Sequence, residues 1–390
     1  VFAREVCAAD QVGTDLPWLV FLQGGPGMGG PRPEDATGWL GHTVRTHRVL
    51  LRDQRGTGRS TPVTAQTVRG LPPQDLARYL RLLRADSIVA DAELIRARLT
   101  GGAPWTTLGQ SYGGFITLAY LSQAPQGLRA CLVTGGLPGL TATADDVYAR
   151  TYPRVAAKNT EYYRRYPGDV EVVRRLADHL DGTDVRLPDG DRLTTRRLRT
   201  LGMAFGMSDG YERVHWLLED AWRGSELSDG FRYQVMAATG FVDTPLFALQ
   251  EYCYGHGGRP TGWAAERAMA AHPGFASDAD PLLFTGETMY PWMFREIAAL
   301  TPFAAAADLL AAADDWPALY DPARLADNEV PLAAAVYFDD MYVDADLQLQ
   351  TARSVGNTQV WVTNEFQHNG LRADGERVLG RLMDMVAGRC

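Results

Sequence analysis

Short apolar runs alternate with segments of helical period over the first third of the chain. Trp18 to Leu22, Val49 to Leu51 and Thr106 to Leu108 have strand length, whereas Ile88, Ala92, Ile95 and Leu99 recur at four-three-four spacing and mark one face of a helix. Strands crossed by helices build a mostly parallel sheet, so the pattern predicts an α/β fold with helices on both faces. After Gly135-Gly136-Leu137-Pro138-Gly139 the chain becomes aromatic and charged, with few β-branched runs, and reads as a helical insertion. The sheet rhythm returns at Val330-Pro331. Strands are predicted at Ala335-Val336-Tyr337-Phe338 and Val360-Trp361-Val362, and Val378, Leu379, Leu382 and Val386 form one face of a closing helix. The predicted organisation is a first core part over 1–140, a helical cap over 141–325 and a second core part over 326–390, with the Ala-rich stretch 304–313 as a plain cap helix.

At 390 residues, with 46% hydrophobic and 22% charged positions, the chain can bury a sizeable core. No run of about eighteen apolar residues occurs and no basic, apolar, small-residue succession opens the chain, so neither a membrane span nor a secretory leader is expected, and the expected compartment is the cytoplasm. A formal charge of -9 argues against nucleic acid as a partner, because phosphate binding relies on clustered Lys and Arg. Arg81, Arg84, Arg96 and Arg98 are interspersed with acids and read as solvated helix faces. Cys7, Cys131, Cys253 and Cys390 lie far apart with no C-x-x-C spacing, which speaks for free thiols and against structural zinc or a disulfide framework. Cys131, within Ala130-Cys131-Leu132-Val133, reads as a buried small hydrophobe.

The most informative motif is Gly109-Gln110-Ser111-Tyr112-Gly113, set between a strand-like run and the apolar helix-like run from Phe115 to Leu121. A sharp strand-to-helix turn lifts a serine oxygen above the sheet edge and needs glycines at its flanks, so Ser111 is the candidate nucleophile. A serine hydroxyl requires a base, and the base an orienting acid. Only His368, in Glu365-Phe366-Gln367-His368-Asn369-Gly370, lies beyond the helical insertion and directly after a predicted strand. The preceding strand leads into Asp339-Asp340-Met341-Tyr342-Val343-Asp344. Here Asp340 is the expected acid and Asp339 the alternative, while Asp344 suits a helix start. Backbone donors for an oxyanion are expected from Gly25, in Gln23-Gly24-Gly25-Pro26-Gly27, and from Tyr112, the residue after the nucleophile. The run from Asp53 to Ser60 lacks the Gly-Lys-Ser/Thr ending of a phosphate loop and reads as a salt-bridged brace for the oxyanion segment.

With these motifs together the chain resembles the proline iminopeptidases of the α/β-hydrolase superfamily, in particular their longer branch. The resemblance covers most of the chain, most strongly its first 140 and last 60 residues. It implies release of N-terminal proline from peptides by a Ser-Asp-His mechanism without metal or organic cofactor. One departure is Gln23, where shorter relatives begin the motif with His; the working groups there are backbone amides, so changed loop packing is expected rather than lost activity. The resemblance also implies cap glutamates for the substrate's ammonium and an aromatic slot for its ring. The candidates are Glu251 and Glu287, with Phe115, Tyr252, Trp263 and Tyr290 for the slot. An ammonium taken out of water needs a fixed carboxylate, which supports the glutamates on physical grounds. Cys253, near Glu251, is expected to confer sensitivity to thiol reagents. The competing readings are an esterase or a broader aminopeptidase on the same fold and, from another class, a non-catalytic small-molecule receptor.

Overall fold

The computed structural model describes residues 1–389. Its seven-stranded sheet contains β1 (Ala3–Val6), β2 (Trp18–Leu22), β3 (Arg48–Arg52), β4 (Trp105–Gln110) and β5 (Leu128–Thr134). A two-stranded hairpin of β6 (Trp222–Arg223) and β7 (Glu226–Leu227) stands apart, and β8 (Leu332–Tyr337) and β9 (Thr358–Thr363) complete the main sheet. The spatial order is β1-β3-β2-β4-β5-β8-β9, with β1 antiparallel to β3 and every other neighbouring pair parallel. The register aligns Leu22 with Gly109, Thr134 with Ala335 and Tyr337 with Thr363. The loops that follow β2, β4, β8 and β9 therefore leave the same edge of the sheet, where open α/β sheets place their ligands.

Both faces of the sheet are covered, and the strand residues alternate between two cores. Leu19, Phe21, Leu108, Leu132 and Ala335 pack with Leu40 and with Val378, Leu379 and Leu382 of the closing helix Gly375–Val386. Val20, Leu22, Cys131 and Val133 face Ile88, Ala92, Ile116 and Ala119 on the opposite side. Burial on both faces is why these strands read as continuous apolar runs. The helix Ala85–Thr100 departs from its predicted stripe: Ala85, Ile88, Val89, Ala92 and Arg96 are buried, while Leu99 is exposed.

The arginines also depart from expectation. Arg84 and Arg96 are only 2% and 7% exposed. Arg96 grips Glu93 with two hydrogen bonds of 2.8 and 2.6 Å, and the Arg84 guanidinium lies 4.6 Å from the Trp316 ring centroid while donating to the Gly255 carbonyl. A delocalised, weakly hydrated guanidinium can be buried where it finds such partners, which an intervening pattern of acids does not reveal.

Between β5 and β8, which pair directly, the chain runs through helices including Ala144–Arg165, Asp169–Gly182, Gly210–Glu219, Asp229–Thr239 and Ala304–Ala312. The first starts on a reciprocal cap in which Thr143 and Asp146 bond each other's backbone N–H, the arrangement that satisfies free donors at a helix start. Among the described residues no helix is long and apolar enough to cross a membrane.

Candidate active site

Ser111 sits between β4 and the helix Tyr112–Gln123 with φ 53° and ψ -123°, a conformation that non-glycine residues avoid. The turn is held by a bond from Ser111 N to the Thr134 carbonyl, at 3.0 Å, and one from Gly114 N to the Ser111 carbonyl, at 2.8 Å. A Cβ on Gly113 would stand 1.9 Å from the Leu22 carbonyl oxygen, and one on Gly109 would stand 2.5 Å from that of Gly113. Only glycine lets strand and helix approach so closely, and the strain is carried by the surrounding packing.

The loop after β8 and the loop after β9 bring an acid and a base together. His368 Nδ1 lies 2.6 Å from Asp340 Oδ2, and both residues are buried. The other oxygen of Asp340 accepts from Tyr342 N, at 2.8 Å, and from Val343 N, at 3.1 Å, so the carboxylate is fixed from three sides. Asp339 is exposed and engages no such partner among the described residues, so of the two aspartates it is Asp340 that meets His368. Asp344 caps the helix Ala345–Ser354 by accepting from Leu347 N at 3.0 Å and pairs with Arg154 at 2.6 Å. Burial opposes the charged form of His368, but the Asp340 carboxylate outweighs it and raises its pKa above 6.5.

The segment 203–208 clamps both loops from above. Tyr342 Oη donates to the Met203 carbonyl, His368 N to the Gly206 carbonyl at 3.0 Å, and Asn369 Oδ1 accepts from Ser208 N at 3.0 Å. From below, Gln54 Nε2 donates to the Gln23 carbonyl at 2.9 Å. The Asp53 carboxylate accepts from Gly30 N and Arg59 N, at 2.8 and 2.7 Å, and from Arg32. The loop from Asp53 to Ser60 thus braces the segment that carries Gly25.

Ser111, His368, Gln23, Gly24, Gly25 and Glu287 line one cavity of about 290 Å³. Gly25 adopts φ +109°, a left-handed conformation open to glycine, and the Tyr112 amide stands at the start of its helix, where the first N–H groups have no partner within the helix. Burial pushes the Glu287 carboxyl up to about 7, with nearby His368 pulling it down and Asp340 pushing it up. A half-buried carboxylate on the wall of this cavity is set to pair with a cation.

Five expected binding residues fall elsewhere. Glu251 does not line this cavity; its two oxygens accept from Ala264 N and Ala265 N, at 3.0 and 3.2 Å, at the start of the helix Ala264–Ala270. Free helix N–H groups and their positive end hold it there, and burial pushes its carboxyl up to about 7. Tyr252 stacks on Trp316, and Tyr290 stacks on Trp292 while sharing a 2.9 Å hydrogen bond with the Tyr152 hydroxyl. Phe115 packs between Tyr112 and Tyr254. Trp263 likewise turns to Phe294 and donates to Asp308. Tyr252 and Tyr290 are buried in the helical segment, Phe115 is buried on the helix that follows Ser111, and Trp263 is half-buried, so these rings serve packing, the commoner fate of large apolar side chains. The cavity's apolar wall is instead made by Met28, Met203, Met207, Phe241, Phe247 and Tyr342. Of these, Tyr342 was within reach of sequence reading, because it lies two residues past the expected acid. Cys253 is buried, and burial pushes its thiol up to about 12, which corrects the expectation of a reactive cysteine.

A model of the alpha/beta hydrolase fold matches residues 17–236. The proline iminopeptidase of Aeromonas sobria is 47% identical over 387 residues, covering 98% of this chain and 90% of its own. That of Aspergillus aculeatus is 33% identical over 408 residues, covering 100% of this chain and 89% of its own. The chain belongs to the proline iminopeptidase family. Membership over nearly the whole length includes the helical segment between β5 and β8 as well as the sheet, and it agrees with the resemblance read from the motifs. No group of three or more His, Cys, Asp or Glu side chains among the described residues is arranged to hold a metal ion.

Proposed function

We propose that this protein is a serine exopeptidase that releases N-terminal proline from peptides. The observation that carries the reading is that Ser111, His368 and Glu287 share one cavity, with His368 bonded to Asp340. In this reading residues 141–325 are a cap over a core formed by 1–140 and 326–390. Glu287 pairs with the ammonium of the substrate and so places the first carbonyl beside Ser111. The apolar wall of Phe241, Phe247 and Tyr342 takes the ring.

Asp340 holds His368 Nδ1–H, which leaves Nε2 as the proton acceptor. Ser111 Oγ forms a bond to the carbonyl carbon as its proton passes to Nε2, and the resulting oxyanion is held by the N–H groups of Gly25 and Tyr112. Protonated His368 then gives that proton to the leaving nitrogen, the C–N bond breaks, and the prolyl ester of Ser111 remains. Water attacks the ester, again with His368 taking the proton, and Ser111 recovers it as proline leaves.

The test is hydrolysis of prolyl nitroanilide, N-acetylprolyl nitroanilide and a simple aryl ester by the wild type and Ser111→Ala. Cleavage confined to the free-amine prolyl substrate and lost in the variant is expected. Ester cleavage with no release of proline would transfer the protein to the esterase reading.

A further inference from the structure

A second and larger cavity, of about 710 Å³, adjoins the catalytic one, and Met203, Met207, Ala237, Ala238 and Tyr342 line both. Another part of its lining comes from Arg213, Trp216 and Leu217 on the helix Gly210–Glu219 and from Asp220 just after it. Trp216 is 57% exposed, unusual for so large an apolar ring. The charges on this wall are not equivalent. Asp220 is paired with Arg223 at 3.1 Å, and the neighbouring acids Asp209 and Glu212 are paired with Arg372 and Arg165. Arg213 enters no ion pair and no side-chain hydrogen bond among the described residues. It thus presents a free guanidinium on the wall of a cavity that shares five lining residues with the one containing Ser111.

If the amine is held at Glu287 and its acyl carbon at Ser111, the wall shared by the two cavities offers the rest of the peptide a way out. We propose that this second cavity receives the leaving part of the substrate, that Trp216 takes an apolar side chain from it, and that Arg213 pairs with its terminal carboxylate. The preferred substrate class is then a short peptide with N-terminal proline, apolar residues after it and a free C-terminus. A guanidinium matches a carboxylate with two parallel hydrogen bonds, and an open apolar ring beside it suits a side chain better than water. The inference rests on the proposed exopeptidase activity and extends it to the other side of the scissile bond.

The experiment compares Pro-Leu-Gly with its C-terminal amide, following released proline, in the wild type, Arg213→Ala and Trp216→Ala. Taking the acid-to-amide ratio of kcat/KM within each protein cancels any general effect of substitution. The wild type is expected to favour the acid by roughly two- to fivefold, through KM, as suits a solvent-facing ion pair. That preference should vanish in Arg213→Ala and shrink as salt is raised. Trp216→Ala should retain it but lose the preference for Pro-Leu-Gly over Pro-Gly-Gly. Proline release with the same acid-to-amide ratio in the wild type and Arg213→Ala overturns the inference alone. Absence of proline release from every peptide by the wild type overturns the exopeptidase reading and the inference together.

Discussion

The ring of Tyr342 stands edge-on to the imidazole of His368, with centroids 4.8 Å apart and planes at 81°. The same residue gives its backbone N–H to Asp340, which holds the other side of His368. One residue therefore lines the cavity, packs against His368 and, through its hydroxyl on the Met203 carbonyl, ties the loop of Asp340 to the helical segment. Tyr342→Phe removes only that tie and should cost about 1 kcal/mol of stability with kcat near wild type. Tyr342→Ala also frees the imidazole, and kcat should fall about tenfold or more, since a small misplacement of a catalytic group is costly. Denaturant unfolding and nitroanilide kinetics on both variants check this.

Asp340 and Asp339 are adjacent in the chain and should behave very differently. Asp340→Asn keeps the size of the side chain but favours the wrong histidine tautomer, and kcat should drop by about three to four orders of magnitude. Asp339→Asn changes an exposed carboxylate and should stay within about twofold. Similar losses in both would refute the assignment of the acid.

The pH dependence follows from His368 and Glu287. His368 must be neutral to accept a proton, and its pKa lies above 6.5, so activity should fall as pH drops through a value above 6.5. Glu287 must be charged to hold an ammonium and titrates at about 7, so the acid limb of kcat/KM should be steeper than one proton. In Glu287→Gln that limb should return to one proton, with kcat/KM for prolyl nitroanilide reduced about a hundredfold.

Stability carries the opposite signature of the same carboxyl. Its pKa is raised on folding from 4.5 to about 7, so the folded chain binds more protons than the unfolded chain across that window. Stability from this group is therefore greatest at the acid end and declines as pH rises from 4.5 to 7. Thermal unfolding of wild type against Glu287→Gln should show that the variant lacks this part of the decline.

Glu251 should report on folding rather than on substrate. Glu251→Ala leaves the Ala264 and Ala265 N–H groups buried without an acceptor and should destabilise the protein by about 2 kcal/mol or more. KM for prolyl nitroanilide in the folded variant should change far less than in Glu287→Gln. A large rise in KM without loss of stability would restore Glu251 to amine binding.

Cys253 should resist iodoacetamide at pH 8, because burial pushes its thiol up to about 12. Labelling followed by peptide mass analysis should find Cys7, which is half-buried, modified well before Cys253. Rapid labelling of Cys253 in the native protein would show that the helical segment opens readily.

Most of the sheet was legible in the chain, and so were the candidate nucleophile and base, although the edge strand Ala3–Val6 and the strand Leu128–Thr134 were not among the predicted strands. Strand periodicity, the glycines around Ser111 and the order of Ser111, Asp340 and His368 are local or serial properties, and a turn that only glycine fits leaves a mark in the chain. The closing helix was legible for the same reason, since Val378, Leu379 and Leu382 face one way whatever they pack on. Tertiary structure alone decided which of two adjacent aspartates meets His368, because that depends on which carboxylate the loop turns inward. It also decided between the two glutamates: Glu251 was captured by a helix start thirteen residues further on, while Glu287 was delivered to the cavity. The wall of methionines and aromatics was equally hidden, because a ring in a helical segment reads alike whether it fills a core or faces a substrate. What separates the two is the position of the neighbouring element in space, which no periodicity encodes.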